Sequence, residues 1–150
     1  MSSINLHEKI LIAVLVAGLG LSLYLIYYHY ELEAGQNGWC DLGGVVNCTN
    51  LILSEYSQIG GVPLGFFGSL WFVIALIIKL SDKISLIPDS FKDNSKLFLV
   101  LWCVIGMSFV LYLVFVEFLL KSIFILCTAV HIMVLFAFIL AFLDLRKSGY

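Results

Sequence analysis

Four apolar segments, Ile10 to Tyr30, Pro63 to Leu80, Leu97 to Leu120 and Ser122 to Leu143, decide what this chain can fold into. Each is long enough to cross a hydrocarbon layer about 30 Å thick, which takes roughly 20 apolar residues at a helical rise of ~1.5 Å. Lipid offers no hydrogen-bond partners, so only helices or closed barrels satisfy a spanning backbone, and no alternation of period two suggests a barrel. The expected fold is an all-α integral membrane protein: a four-transmembrane-helix bundle in one domain over residues 1–150. Composition agrees, since 62% of residues are hydrophobic, 12% are charged and the mean hydropathy is +1.08, whereas a soluble domain is about 25% charged. With a net charge of -2 and no basic stretch interleaved with aromatics, nucleic-acid binding has no support. Lys9 followed by the run from Ile10 to Tyr28 has the outline of a signal peptide. That run is too long for an h-region and no small-residue cleavage site follows, so it reads as a retained first helix.

Cytoplasmic flanks of membrane proteins retain Lys and Arg. Lys9, Lys79, Lys83, Lys92, Lys96, Arg146 and Lys147 fall on one side and only Lys121 on the other, seven against one. Both termini are therefore expected in the cytoplasm, and residues 31–62 between the first and second spans on the exterior. A loop of that length exceeds what a connection needs, and long ordered loops usually carry function. It is glycine-rich at first, with Gly35, Gly38, Gly43 and Gly44; Thr49 to Tyr56 then reads as a short helix with Leu51, Ile52 and Tyr56 turned toward the membrane. Gly60-Gly61-Val62-Pro63 ends it, and proline suits the first turn of the second span.

Cys40 and Cys48 lie in this loop, in a compartment where disulfides persist. Spacing alone leaves two readings open: a plain staple closing a small loop, and a reactive pair. Two cysteines with no nearby histidine are too few ligands for zinc, so no metal is expected. Cys127 lies about five residues into the fourth span from its exterior end, less than about 10 Å deep and within reach of the loop. Cys103 lies about seven residues in from the opposite face, on the order of 10 Å from Cys127 in depth, beyond the ~7 Å Cα limit of a disulfide. It reads as an inert core thiol. His131 follows Cys127 by one helical turn, and an ionisable residue in a span is a functional candidate unless a neighbouring helix partners it. Glu117 is expected to pair with Lys121.

Cys40, Cys48-Thr49, Gly60-Gly61-Val62-Pro63-Leu64, Gly68, Cys127-Thr128 and His131 together resemble the vitamin K epoxide reductase family, including its bacterial and archaeal homologues, over nearly the whole chain. The resemblance implies a membrane thiol–disulfide oxidoreductase that passes electrons from a partner's thiols to a bound quinone and so supports disulfide formation. Cys40 would meet the partner, a thioredoxin-like extracytoplasmic protein, Cys48 would be the shuttle and Cys127 the thiol beside the quinone. The quinone, of the menaquinone, ubiquinone or vitamin K type, would be lined by Phe67, Trp71, Phe124 and His131. A prokaryotic cell membrane is favoured over the endoplasmic reticulum. One departure stands out: the family's Cys-x-x-Cys needs a cysteine at position 124, and this chain has Phe124-Ile125-Leu126-Cys127. Three accounts follow, a direct Cys48–Cys127 bond, an outside thiol, or an impaired relay. The alternative class is a non-catalytic membrane protein with a structural loop disulfide and a quinone or lipid pocket. A transporter or channel would need more polar residues along a path than these spans offer. Asn47-Cys48-Thr49 matches a glycosylation sequon, discounted because a glycan there would block the chemistry.

Overall fold

The structure is a computed structural model that describes residues 6–41, 43, 44, 46, 48–81, 84 and 87–147. Lys83, the sequon's Asn47 and the side chain of Leu51 lie outside the described residues. The order of elements is α1 (Leu6–Glu33), α2 (Cys48–Ile52), a 3-10 turn (Glu55–Ser57), β1 (Gln58–Ile59), β2 (Val62–Pro63), α3 (Leu64–Lys79), α4 (Asp89–Asp93), α5 (Ser95–Leu120) and α6 (Ile125–Lys147).

The four long helices close a ring in which α1 packs on α3, α3 on α5, α5 on α6 and α6 on α1. Three of them, α1, α5 and α6, are long and apolar enough to cross a membrane. The fourth is shorter than expected: α3 has 16 residues, or ~24 Å at ~1.5 Å per residue. Pro63 does not open it but ends β2 and stands just before it, and the chain leaves the helix at Leu80. Outward faces are apolar, with Leu111, Phe115, Phe118 and Phe136 exposed, as lipid rather than water requires.

Lipid is as apolar as the side chains, so helix association there rests on close packing. Gly18, Ser22, Gly65 and Gly68 supply it between α1 and α3. A Cβ at Gly18 would overlap the Phe72 ring, and one at Gly65 would come within 3.0 Å of the Ser22 carbonyl. Leu11, Leu15, Phe72, Ala75, Leu99, Cys103, Val134 and Ala137 form the main core. One end of the bundle is tied by charge: Lys79 reaches Glu8 at 3.3 Å and Asp144 at 3.0 Å, while Lys96 lies 3.6 Å from Asp144, so all four long helices meet in one ion network.

The opposite end is capped by the loop, and here the structure corrects several expectations. The single helix expected over Thr49 to Tyr56 is α2 plus a separate 3-10 turn; the Ser57 hydroxyl donates to the carbonyls of Ile52 and Ser54 and folds the chain back between them. Ile52 points into the bundle, not toward lipid, and is buried with Cys40 and Cys48. The antiparallel pair β1–β2 follows, with Gly60 and Gly61 at φ 61° and 82°. A two-residue turn with both φ positive suits a hairpin and favours glycine. The pair Glu117–Lys121 is also absent among the described ion pairs. Lys121 takes a left-handed conformation at φ 49° that ends α5, and residues 122–124 are non-helical, so α6 opens at Ile125 rather than Ser122. Cys127 consequently falls in the first turn of α6. Counted from the helix ends, Cys103 then lies about 20 Å further down the bundle, twice the separation expected.

Candidate functional site

The loop disulfide is built from α1 outward. Cys40 and Cys48 are joined, with Cα atoms 5.8 Å apart and both residues 0% exposed. Tyr28, at the end of α1, directs its hydroxyl at the Cys40 sulfur, 3.7 Å away. Tyr28 stacks on Tyr24 and meets Trp39, whose indole N–H donates to the Tyr24 hydroxyl at 3.1 Å. An aromatic wall thus covers the outer side of the bridge. Asp41 fastens its other flank: its carboxylate accepts from the Thr49 backbone N–H at 3.1 Å and from the Thr49 hydroxyl at 2.5 Å. These bonds, the hydroxyl's first, hold the Asp41 carboxyl below its usual range. A Cβ at Gly38 would lie 2.6 Å from that hydroxyl, so the turn needs glycine there.

The inner side of the disulfide rests on the connection between α5 and α6. Val46 bridges to Ile123 and also to Gly43. Cys40, Cys48, Ile52, Tyr28, Val116, Phe124 and Leu126 form one buried cluster, and Cys127 packs against it. Phe124, at the position of the missing cysteine, is 2% exposed and fills the space beside the bridge with its ring. Cys127 and Cys103 are both free thiols, but Cys103 belongs to the core at the far end.

Below this cluster lies a cavity of about 300 Å³ lined by α1, α3, α5, α6 and the loop. That is at the lower end of the range for ligand pockets, about 300–1,000 Å³. Phe67, Trp71, Phe124, Cys127 and His131 all line it. Trp71 serves only as wall: its N–H donates to the Trp102 carbonyl at 3.2 Å, Trp102 returns the bond to the Trp71 carbonyl at 3.1 Å, and the two indoles stack. Its place is kept by Gly106, where a Cβ would come within 2.7 Å of the indole. The cavity is apolar except at a few points. Ser22 Oγ, Glu117 Oε1 and His131 Nε2 are buried side-chain atoms without a hydrogen-bond partner, and all three residues line this space. Buried polar atoms are almost always paired. The Ser22 hydroxyl and a His131 Nε2–H can donate to carbonyl oxygens, so the chamber fits a flat ring such as a quinone head group, while the Glu117 carboxylate can only accept.

Sequence reasoning did not single out Ser22, Tyr28 or Asp41, and it assigned Glu117 to a surface pair. Glu117 had a signal, since a carboxylate inside an apolar span is costly without a task. Nothing in the sequence distinguished Tyr28 from its neighbours Tyr24, Tyr27 and Tyr30.

An apolar helical bundle, with a disulfide loop closing one end over a chamber that a free thiol enters, defines an integral membrane protein equipped for thiol–disulfide exchange. The chain belongs to the vitamin K epoxide reductase family, whose model matches residues 9–142. Membership supports an oxidoreductase of the vitamin K epoxide reductase type, and proteins of this family are associated with quinone redox chemistry. Comparison with curated proteins gave no match.

Proposed function

We propose that the protein oxidises thiols at the expense of a quinone with three cysteines instead of four. The observation that carries this reading is the packing of Cys127 against the buried cluster of the Cys40–Cys48 bridge, with Phe124 and no second sulfur beside it. A quinone supplies an acceptor for two electrons and two protons. Every other step belongs to the chain. A thiolate of the partner attacks the Cys40 sulfur and releases Cys48; the partner's second thiol resolves the mixed disulfide, leaving Cys40 and Cys48 as thiols and the partner oxidised. Cys48 and Cys127 then join, and the two electrons and two protons they lose go to the acceptor. Cys40 attacks the Cys48 sulfur, the Cys40–Cys48 bridge re-forms and Cys127 is freed. The balance is one dithiol oxidised and one quinone reduced.

Phe67, Phe124 and Trp71 would hold the ring, and His131 and Ser22 would hydrogen-bond its oxygens. Because Cys40 is buried, attack requires the Trp39 and Tyr28 cover to lift. The Lys and Arg bias supports a disulfide end outside the cytoplasm, with α3 as a fourth span completed by its flanks, and the family implies a thioredoxin-like protein as the partner and favours a prokaryotic cell membrane. The test is Cys40→Ser, which removes the resolving thiol. After reduction and exposure to menadione, mass spectrometry of the alkylated protein is expected to find a Cys48–Cys127 link. Finding both cysteines free would defeat the relay.

Full burial of both loop sulfurs favours a second reading, a static staple above a lipid or quinone pocket without turnover. Structural bridges have potentials below about −300 mV and catalytic ones lie above, so a redox titration of the bridge separates the two.

A further inference from the structure

Oxidation of a thiol pair in this chamber raises a problem of protons. The partner's thiols give theirs up at the loop, but the acceptor must gain two protons inside a largely apolar cavity. Among the described residues, the titratable groups facing that cavity are His29 from α1, Tyr56 from the loop, Glu117 from α5, and Cys127 and His131 from α6. His29 is engaged, with its Nε2 3.0 Å from Gln58 Nε2 and 3.3 Å from Glu33 Oε1. Tyr56 is exposed at the loop edge. Glu117 is differently placed. Its Oε1 is buried with no hydrogen-bond partner. It lines the same chamber as Cys127. His131 is independently 92% buried by its 8% exposure, and its Nε2 is likewise unpartnered in the same chamber.

We infer that Glu117 is the proton-exchanging group of the chamber, carrying protons from the cysteine thiols to the oxygens of the bound acceptor while His131 positions the ring. This rests on the three-cysteine reading. As the Cys48–Cys127 bond forms, two S–H bonds break and two electrons leave for the acceptor. The Glu117 carboxylate takes the Cys127 proton, gives it to the nearer acceptor oxygen, and returns to its starting state to serve the Cys48 proton in the same way. No proton from water is needed. The carboxylate costs the bundle an unpaired buried oxygen, and the pair expected between Glu117 and Lys121 would have removed it from the site.

The test uses the full chain in lipid nanodiscs, as wild type, Glu117→Gln and Glu117→Asp. Reduction of menadione by dithiothreitol is expected to fall about 10²-fold in Glu117→Gln, the contribution typical of a positioned acid–base group, and to recover in part in Glu117→Asp. The equilibrium yield of the Cys48–Cys127 link is set by redox potential and not by the proton carrier, so in a Cys40→Ser background in glutathione buffer, without quinone, it is expected to be the same with Glu, Gln or Asp at position 117. The second readout is the infrared spectrum of reduced, quinone-free protein as pH is lowered across the assay range. There a carboxyl C=O band is expected to grow in wild type as Glu117 takes up its proton, and to be missing from Glu117→Gln. Menadione reduction within about threefold of wild type in Glu117→Gln, or the same band in both proteins, overturns the assignment. A Cys40→Ser protein with Glu117 intact that forms no Cys48–Cys127 link overturns the relay itself, so the two failures are distinguishable.

Discussion

Restoring a thiol where the family's pattern has one gives the sharpest test of how this site is built. In a Cys48→Ala background the proposed relay has lost its shuttle, and exposure to menadione is expected to reduce no quinone. Adding Phe124→Cys places a second sulfur one turn from Cys127, at the residue whose carbonyl accepts the Thr128 N–H at 2.9 Å. The structural cost follows from the packing. Phe124 is 2% exposed within the cluster of Cys40, Cys48, Val116 and Leu126. Truncating such a ring to alanine costs about 3–5 kcal/mol, and a sulfur that refills part of the void leaves about 2–4 kcal/mol. Losing the bridge costs about 2.5 kcal/mol by chain entropy, from its sequence separation of 8. Both losses fall on one cluster and so do not simply add. The double variant should therefore melt earlier than either parent while remaining helical, as circular dichroism in nanodiscs would report. Its function should reappear as a single equivalent of hydroquinone per chain, accompanied by a link between the new thiol and Cys127. A folded double variant that leaves menadione untouched, with both thiols free, would refute the placement of the acceptor beside position 127.

Cys103→Ala is expected to leave quinone reduction within about twofold of wild type, since Cys103 sits in the opposite half of the core; a larger loss in the same assay would contradict that separation. The Asp41–Thr49 contact predicts an acid-sensitive loop. The Asp41 carboxyl is held below its usual value in the fold, so its contribution is complete above the unfolded value of about 3.9 and is lost as pH falls through the folded one. Reduction of the bridge by a phosphine should accelerate over that acid range in wild type and be fast already at neutral pH in Thr49→Val. A flat acid profile in wild type would show that these bonds do not hold the loop.

The spans were legible because lipid imposes a length and an apolar composition that few other constraints can imitate. α1, α5 and α6 fall where the apolar runs place them, and the loop cysteines and Cys127 do come together at one end. What the sequence left open has one physical origin. In a helix facing lipid, the outside is as apolar as the inside, so the pattern of residues does not reveal which face is buried. Ile52 was turned the wrong way for that reason, and the inward side of α5, where Glu117 looks into the cavity, was missed. α3 falls within one residue of its apolar run at each end, whereas α6 opens later than its run because the apolar Ile123 and Phe124 precede it. Pro63, used by β2, and Lys121, in a left-handed turn, stop or delay the helix by backbone conformation. The docking of Val46 on Ile123 joins residues far apart in sequence through backbone groups, which side-chain identity does not announce.

The shortness of α3 bears on where this protein can live. At ~24 Å against a hydrocarbon thickness of ~30 Å, it leaves ~6 Å to be made up, at a fraction of a kcal/mol for each ångström. Its longer neighbours α1, α5 and α6 meet the bilayer without deficit, so the mismatch is confined to one flank. If α3 is the fourth span proposed above, either the bilayer thins beside it or its flanks reach into the headgroup layer. In both cases β1–β2, joined directly to α3, would be held against the membrane surface, and the loop that carries the disulfide with it.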